Sequence, residues 1–324
     1  MLMVGYIYCR SLTMLPYVKK LSSSYWLIIK NTVAGYFNND SFLYAGSIAF
    51  STIFSLPAII MIALSIGSTF YERDMVKQEL INQVAALIGS ESTVQIEKII
   101  VNASYDMTST FARAIGIATL IFSATTVFVS LQTSINKMWG IKPKPEKGWL
   151  KHIINRLLSF AVVVSFGFVL LVSLLIDTIL VLIQNHVNQI FDGITAYLIT
   201  AANLLVSMAI IALIFSLLFK ILPDARVHWR DVWVGAIITT LLFTLGKYLI
   251  GFYLGNSGIN SAYGAAGSFV IILIWVYYST LIFLFGAEFT SVYATHRGKG
   301  IIPYKNAVKF KIVEVPDQKS NEKS

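Results

Sequence analysis

The spacing of charged side chains constrains the fold of this chain more than any other feature. Six stretches, each long enough to cross a bilayer, carry almost no ionised residue, and nearly all the charge lies between them. A helix needs about 20 apolar residues to cross the hydrocarbon core of a membrane. The pattern therefore predicts an all-α, polytopic membrane protein with six transmembrane helices. The predicted spans are Ser41–Ser68, Ala114–Ile135, Leu157–Leu182, Ala196–Phe219, Val232–Leu254 and Ala265–Tyr293.

Composition supports the membrane class. Hydrophobic residues make up 56% of the 324 residues and the mean hydropathy is +0.72, whereas charged residues make up only 13%, against about 25% in soluble proteins. The apolar runs are continuous, unlike the short alternating segments of a transmembrane β-barrel. The net charge of +9 could indicate a nucleic-acid partner, but the basic residues lie beside the spans, where membrane topology requires them. We therefore expect membrane lipids as partners, and no nucleic acid.

Basic residues favour one side of the predicted membrane. They precede the first span and follow the second, fourth and sixth spans. The first connection, on the opposite side, carries six acidic residues against four basic ones, and the fifth connection, Gly255–Gly264, carries no charge. Because loops rich in lysine and arginine stay in the cytoplasm, both termini are predicted to be cytoplasmic.

Three parts follow along the chain. Residues 1–40 form a cytoplasmic segment, residues 41–296 the transmembrane domain, and residues 297–324 a basic cytoplasmic tail. In the first part, apolar residues at helical spacing over Tyr17–Phe37 predict an amphipathic helix, which either lies on the lipid surface or packs against the cytoplasmic end of the bundle. In residues 72–110, two apolar helical faces predict an extracytoplasmic helical hairpin, which either packs on the bundle or forms a lid or partner surface.

Ionisable side chains within the spans are the first candidate functional residues, because a charge in the hydrocarbon is costly. Lys247 lies well inside the fifth span, Glu288 about two turns from the cytoplasmic end of the sixth, and Asp177 towards the outer end of the third. The functional interpretation gives Lys247 an anionic head group or an acid as its partner. The simpler interpretation has Lys247 and Glu288 reaching the membrane surfaces. The two residues lie at different depths, which argues against a direct pair.

Two further positions in the bundle have both a functional and a structural interpretation. Asn136, at the end of the second span, either contacts a ligand or forms a hydrogen bond between helices. Pro57, within the first span, makes either a hinge in a broken helix or a static kink.

The chain contains no motif of a known catalytic centre. It has no His-Glu-x-x-His, no Gly-x-Ser-x-Gly and no phosphate-binding Gly-x-x-x-x-Gly-Lys, which argues against a metalloprotease, a hydrolase of that type and an ATP-driven pump. The histidines are scattered without the spacing of metal ligands. We expect no catalytic residue, metal or cofactor. The four histidines are His152, His186, His228 and His296.

Several short motifs, taken in order, resemble the YihY / virulence factor BrkB family of bacterial inner-membrane proteins, over about residues 25–297. They are Ala45–Pro57, Asn136–Gly140, Leu222–Asp231 with Gly235 and Leu245–Lys247, Tyr263–Gly267, Trp275–Tyr277 and Gly286–Glu288. The third of these is a cytoplasmic loop motif that contains Pro223, Asp224, Arg226 and Arg230. The resemblance implies six transmembrane helices in the bacterial plasma membrane.

The resemblance leaves the activity open. Members have carried a ribonuclease BN label, but this chain has neither an acidic metal cluster nor a catalytic histidine pair for RNA cleavage. The leading hypothesis is translocation of a lipid, a lipid-linked precursor or another amphiphilic envelope component. The alternatives are a non-transport envelope scaffold or assembly protein and, third, a membrane enzyme.

Overall fold

The described part of the chain is mostly helical. A computed structural model describes residues 25–69, 71–88, 110–144, 194–256 and 267–310, and within them the chain forms seven helices and four short strands. The helices are α1 (residues 25–38), α2 (Ser41–Gly67), α3 (Arg73–Ile88), α4 (Thr110–Met138), α5 (Ile194–Ile221), α6 (Trp229–Asn256) and α7 (Gly267–Arg297). The strands are β1 (Ile141–Pro143), β2 (Ala225–Arg226), β3 (Ile302–Pro303) and β4 (Ala307–Lys309).

Five of the six predicted spans coincide, over their described residues and to within one residue, with helices, namely α2, α4, α5, α6 and α7. The third predicted span lies outside the described residues, as do Asp177 and the second half of the predicted outer hairpin. Among the described residues, three helical stretches are long and apolar enough to cross a membrane: Leu204–Ile221, Trp229–Leu254 and Phe269–Arg297. The first part of α2 is a shorter apolar stretch.

Helix α7 is central to the described bundle. It packs along α2 on one side and α6 on the other, and it also contacts α4, while α4 packs on α2 and α5 on α6. Two glycine–threonine contacts bring α6 and α7 together: Gly235 lies against Thr290, and Gly286 lies against Thr239. Small residues at such positions allow the two helix backbones to approach closely. Gly235 precedes Thr239 on α6, whereas its partner Thr290 follows Gly286 on α7, so the two helices are antiparallel.

Helix α1 packs along the last turns of α7. On the face predicted from helical spacing, Ile28, Thr32 and Tyr36 are buried, whereas Tyr25 is partly exposed; the part of the predicted helix before residue 25 lies outside the described residues. At its start, the Arg297 guanidinium lies over the ring of Tyr25 at 4.5 Å and donates a hydrogen bond to the Tyr25 hydroxyl. The sequence left two interpretations open for this helix. The observed packing agrees with the second, in which the helix lies against the end of the bundle.

The first half of the predicted hairpin is α3, which packs at the opposite end of the bundle from α1. Val76 of α3 contacts Gly67 of α2, and it joins a small apolar cluster with Leu64, Leu254 and Ile271. The described half of the hairpin therefore packs on the bundle, which is the simpler of the two arrangements considered.

The segment after α7 is folded onto two loops, which the sequence did not predict. Strand β4 pairs antiparallel with β1, which follows α4, and β3 pairs antiparallel with β2, which follows α5. The backbone N–H of Phe310 also donates to the carbonyl of Gly140. The described part of the predicted basic tail is thus a structural element. We call this end of the molecule, where α4, α5 and α7 end and α6 begins, the motif end.

Candidate functional site

The family-like motifs at the end of α4 and after α5 meet in one hydrogen-bonded pair, Asn136 and Asp224. The Asn136 amide nitrogen donates to Asp224 Oδ2 at 2.8 Å, and the Asp224 backbone N–H donates to Asn136 Oδ1 at 2.9 Å. Gln132, one turn earlier on α4, donates to Asp224 Oδ1 at 3.4 Å. Asn136 is only 4% exposed, and both atoms of its amide are used within the protein, which favours its structural interpretation.

The other residues of the loop motif hold the loop in place. Pro223 is buried, and the Asp224 carbonyl accepts a hydrogen bond from the N–H of Tyr304, beyond α7. The Arg226 guanidinium lies 5.5 Å from the centre of the Tyr304 ring. Arg230 is exposed at the start of α6. Of the four predicted loop residues, three therefore contact or support the fold, and Arg230 is exposed.

Trp139 connects the end of α4 with α7. It follows the last residue of α4 and is buried, and its indole N–H donates to the Ala287 carbonyl of α7 at 2.9 Å. A tryptophan is suited to this position because it fills apolar space and supplies a single donor.

We expect Trp139→Phe to lower the free energy of unfolding by about 1 kcal/mol, because it keeps most of the ring but removes one buried hydrogen bond. The measurement is the thermal unfolding of the purified protein in detergent. Trp233→Phe is the matched control, since Trp233 is partly exposed on α6, and its Tm should stay unchanged. Equal Tm values for both variants would contradict a stabilising role for the bond.

Glu288 lies in a tight polar contact between α7 and the end of α1. It is 5% exposed, and its Oε2 accepts a hydrogen bond of 3.1 Å from the side-chain amide of Asn39. A Cβ atom at Gly35 would overlap the Glu288 carboxylate, so glycine is needed there for α1 to approach. Neither Gly35 nor Asn39 was identified from the sequence. The available signal was the Asn39-Asp40 pair before an apolar helix, which is typical of a turn.

The turn between α1 and α2 connects the Glu288 contact with the end of α4. Asp40 has a φ of 56°, a left-handed conformation that aspartate tolerates better than most residues. Its carboxylate lies 3.9 Å from the Lys137 ammonium. Ser41, the first residue of α2, donates from its hydroxyl to the carbonyl of Tyr36. The turn is thereby fixed on both sides, and Asn39 is held facing α7.

Tyr36 reaches from α1 onto the surface of α7. Its hydroxyl donates to the carbonyl of Leu281 at 3.3 Å, and its ring meets Phe285 edge to face, with centroids 5.5 Å apart. Burial, followed by the nearby Tyr277, raises the pKa of the Tyr36 hydroxyl above its ordinary value. The hydroxyl therefore stays protonated and remains a hydrogen-bond donor at any physiological pH.

Lys247 lies apart from Glu288. The glycine–threonine contacts fix the register of α6 and α7, and this register places Lys247 level with Tyr278. Tyr278 is ten positions from Glu288, or about 15 Å along a helix at 1.5 Å per residue. Lys247 is partly exposed, and no residue in the described ranges forms an ion pair with it. The structure thus does not bring the two charges together.

The remaining predicted features are less informative. Helix α2 runs without interruption through Pro57, and the hinge at that position stays a prediction. Among the described residues, no group of three histidine, cysteine, aspartate or glutamate side chains is arranged to hold a metal ion.

The motifs that meet at the motif end belong to a known family. The sequence profile of the family described as Virulence factor BrkB matches residues 32–308, which is most of the chain. The protein belongs to this family. The BrkB profile begins within α1 and ends within β4, so it includes the segment after α7 that pairs with the two loops.

Comparison with curated proteins gives distant relatives that are named only as membrane proteins. A UPF0761 membrane protein of Rhodospirillum centenum is 24% identical over 277 residues, which is 82% of this chain and 56% of the relative. One from a Janthinobacterium strain is 28% identical over 76% of this chain and 55% of the relative, and one from Alteromonas mediterranea is 26% identical over 76% and 80%. The chain thus spans little more than half the length of the first two relatives. No solved structure matches.

Proposed function

We propose that this BrkB-family membrane protein translocates a lipid or another amphiphilic envelope component across the bacterial inner membrane. In this proposal the chain crosses the membrane six times, with both termini and the motif end in the cytoplasm. The distribution of basic residues supports this orientation. The proposal includes anionic or lipid-linked molecules among the substrates, and it includes neither a nucleic-acid partner nor an enzymatic activity.

One observation carries the proposal: a buried carboxylate, Glu288, lies in an apolar helix suited to crossing the membrane. Ionisable groups in such helices are costly and commonly mark a pathway or a proton relay. The contact that covers Glu288 comes from Gly35 of α1 and from Asn39 in the two-residue turn that joins α1 to the bundle. A movement of α1 would uncover the carboxylate.

The other polar residues take defined roles in this proposal. Lys247, about 15 Å deeper than Glu288, would attract an anionic head group part-way across the membrane. Pro57 would permit movement of α2 relative to α7, because a proline in a helix removes one backbone hydrogen bond. Glu288 would carry a proton when α1 moves. Asp177 stays a candidate from the sequence alone.

The test is a leaflet-specific lipid measurement in cells depleted of the protein and rescued by variants. We expect wild type to restore the distribution of lipids and lipid-linked precursors between the leaflets, and Glu288→Gln and Lys247→Ala to fail, since the first removes the ionisable group and the second the cation. Lys77→Ala, on α3, is the control lysine and should rescue fully. Normal lipids without the protein, or full rescue by both core variants, would refute translocation.

A scaffold is the second candidate, and the exposed cations of the motif end favour it. The exposed lysines are Lys142 in β1 and Lys144 just after it, and Lys305 just before β4 and Lys309 in it, so this surface is assembled from two separate segments of the chain. Such a surface could recruit an acidic protein. In that case, deletion of Arg73–Asp106 or reversal of these charges should abolish function, while Glu288→Gln and Lys247→Ala should have little effect.

A further inference from the structure

The segment after α7 holds the end of α4 in place. We call this segment, residues 298–310, the strap. Its strand β4 pairs with β1, which follows α4, and the N–H of Phe310 donates to the carbonyl of Gly140. Gly140 has a φ of 60°, and a Cβ atom there would lie 3.1 Å from the carbonyl oxygen of Phe310. The strap therefore packs closely on the chain just after α4.

Successive residues at the end of α4 contact the surroundings of the buried carboxylate as well as the strap. Their partners lie in or beside the turn between α1 and α2, on α7 and in the strap. The contacting pairs are Lys137–Asp40, Met138–Ser41, Trp139–Ala287 and Gly140–Phe310. Asp40 and Ala287 are the chain neighbours of Asn39 and Glu288, which are joined by a hydrogen bond. The end of α4 thus connects the strap with both partners of that bond.

One side chain, Lys137, contacts the strap and the turn at the same time. Its ammonium lies 5.8 Å from the centre of the Phe310 ring and 3.9 Å from the Asp40 carboxylate. The ring and the carboxylate both attract the cation, so each of them restricts the position in which the other finds it. Loss of the ring would leave the ammonium freer to move away from Asp40.

The strap is attached less firmly than the helices that it joins. Its strands β3 and β4 contain only two and three residues, and of its side chains only Ile301 and Ala307 are buried. It turns back from α7 at Gly300, which has a φ of 75° and where a Cβ atom would meet nothing within 4 Å. Segments with little buried apolar surface open at a lower free-energy cost than the core. The strap can therefore detach while the helices stay packed.

We propose that the strap is a closing device for the buried carboxylate. While β4 is paired with β1, the end of α4 holds the turn between α1 and α2 over Glu288. Release of the strap frees the end of α4, and the turn then moves away from Glu288 more readily. The inference deepens the proposed function, and its role in translocation rests on that function, because the strap would determine when Glu288 can exchange a proton.

The test locks the strap with a disulfide and measures how fast Glu288 reacts. Lys142→Cys and Val308→Cys place cysteines at facing positions of β1 and β4, at a Cα spacing of about 5.5 Å that suits a disulfide, and Cys9→Ser removes the only native cysteine. The full-length protein in nanodiscs is treated with dicyclohexylcarbodiimide, an apolar reagent for buried carboxyl groups, and modified Glu288 is quantified by mass spectrometry. We expect the oxidised protein to react about fivefold more slowly than the same protein after reduction, which is the scale of exposed ion and ring contacts.

A matched pair of variants tests release of the strap. Phe310→Ala removes the ring beside Lys137 and should make Glu288 react about threefold faster, whereas Lys309→Ala, at the exposed residue before it, should leave the rate unchanged. Equal rates for the oxidised and reduced protein, or for the two alanine variants, would overturn the inference. If Phe310→Ala fails to fold, the comparison of oxidised and reduced protein decides alone. Strap-dependent labelling of a protein whose depletion leaves leaflet lipids normal would retain the closing device and refute translocation.

Discussion

Asn136→Asp is expected to destabilise the protein more than any other single change considered for this chain. The substitution replaces the amide that donates to Asp224 Oδ2 with a carboxylate, so two like charges face each other at hydrogen-bond distance in a partly buried place. The lost hydrogen bond to a charged group and the repulsion together should lower the free energy of unfolding by about 3 kcal/mol. The measurement is the Tm of the purified protein in detergent.

A second substitution, at Asp224, should restore the stability lost by Asn136→Asp. In the double variant Asn136→Asp with Asp224→Asn, the amide and the carboxylate exchange places, and the backbone N–H of residue 224 still has an acceptor at position 136. We expect the double variant to regain most of the lost stability, because the two changes are coupled through direct contact. Additive losses in the double variant would show that the hydrogen-bonded pair does not hold the two loops together. Asp40→Asn, at the solvent-exposed end of the long ion pair with Lys137, is the control and should change little.

Gly286→Ala is expected to have the second largest effect. An alanine Cβ would overlap the side chain of Thr239, and Thr239 cannot turn away freely because its hydroxyl donates to the carbonyl of Gly235. Overpacking of this kind costs about 1–3 kcal/mol, even though alanine favours a helix over glycine by about 1 kcal/mol. A lower Tm in detergent is the expected result.

Gly251→Ala is the control for this substitution. Gly251 is also in a helix of the bundle, but a Cβ atom there would meet nothing within 4 Å. We therefore expect Gly251→Ala to be neutral or to raise the Tm, through the higher helix propensity of alanine. If both variants lowered the Tm equally, close approach of α6 and α7 would not be the reason for glycine at position 286.

The membrane class and the positions of most helices were predictable because they depend on local properties. A run of about 20 apolar residues must form a helix in lipid, since the backbone has no other way to satisfy its hydrogen bonds. Helix α5, Ile194–Ile221, and helix α6, Trp229–Asn256, therefore lie within three residues of the spans predicted as Ala196–Phe219 and Val232–Leu254. The buried face of α1 was likewise predictable from the spacing of its residues, since Ile28, Thr32 and Tyr36 recur every four positions.

The partners of the polar residues were decided by tertiary structure alone. Asn136 and Asp224 are 88 positions apart, and Asn39 and Glu288 are 249 apart. No local pattern distinguishes an amide that binds a carboxylate across the bundle from one that faces a ligand. The strands after α7 were also beyond prediction, because β3 and β4 contain only two and three residues and form by pairing with loops far away in sequence. The sequence determines which segments form long apolar helices, because their solvation depends on local composition, whereas the contacts between those helices depend on a packing geometry that only the folded chain creates.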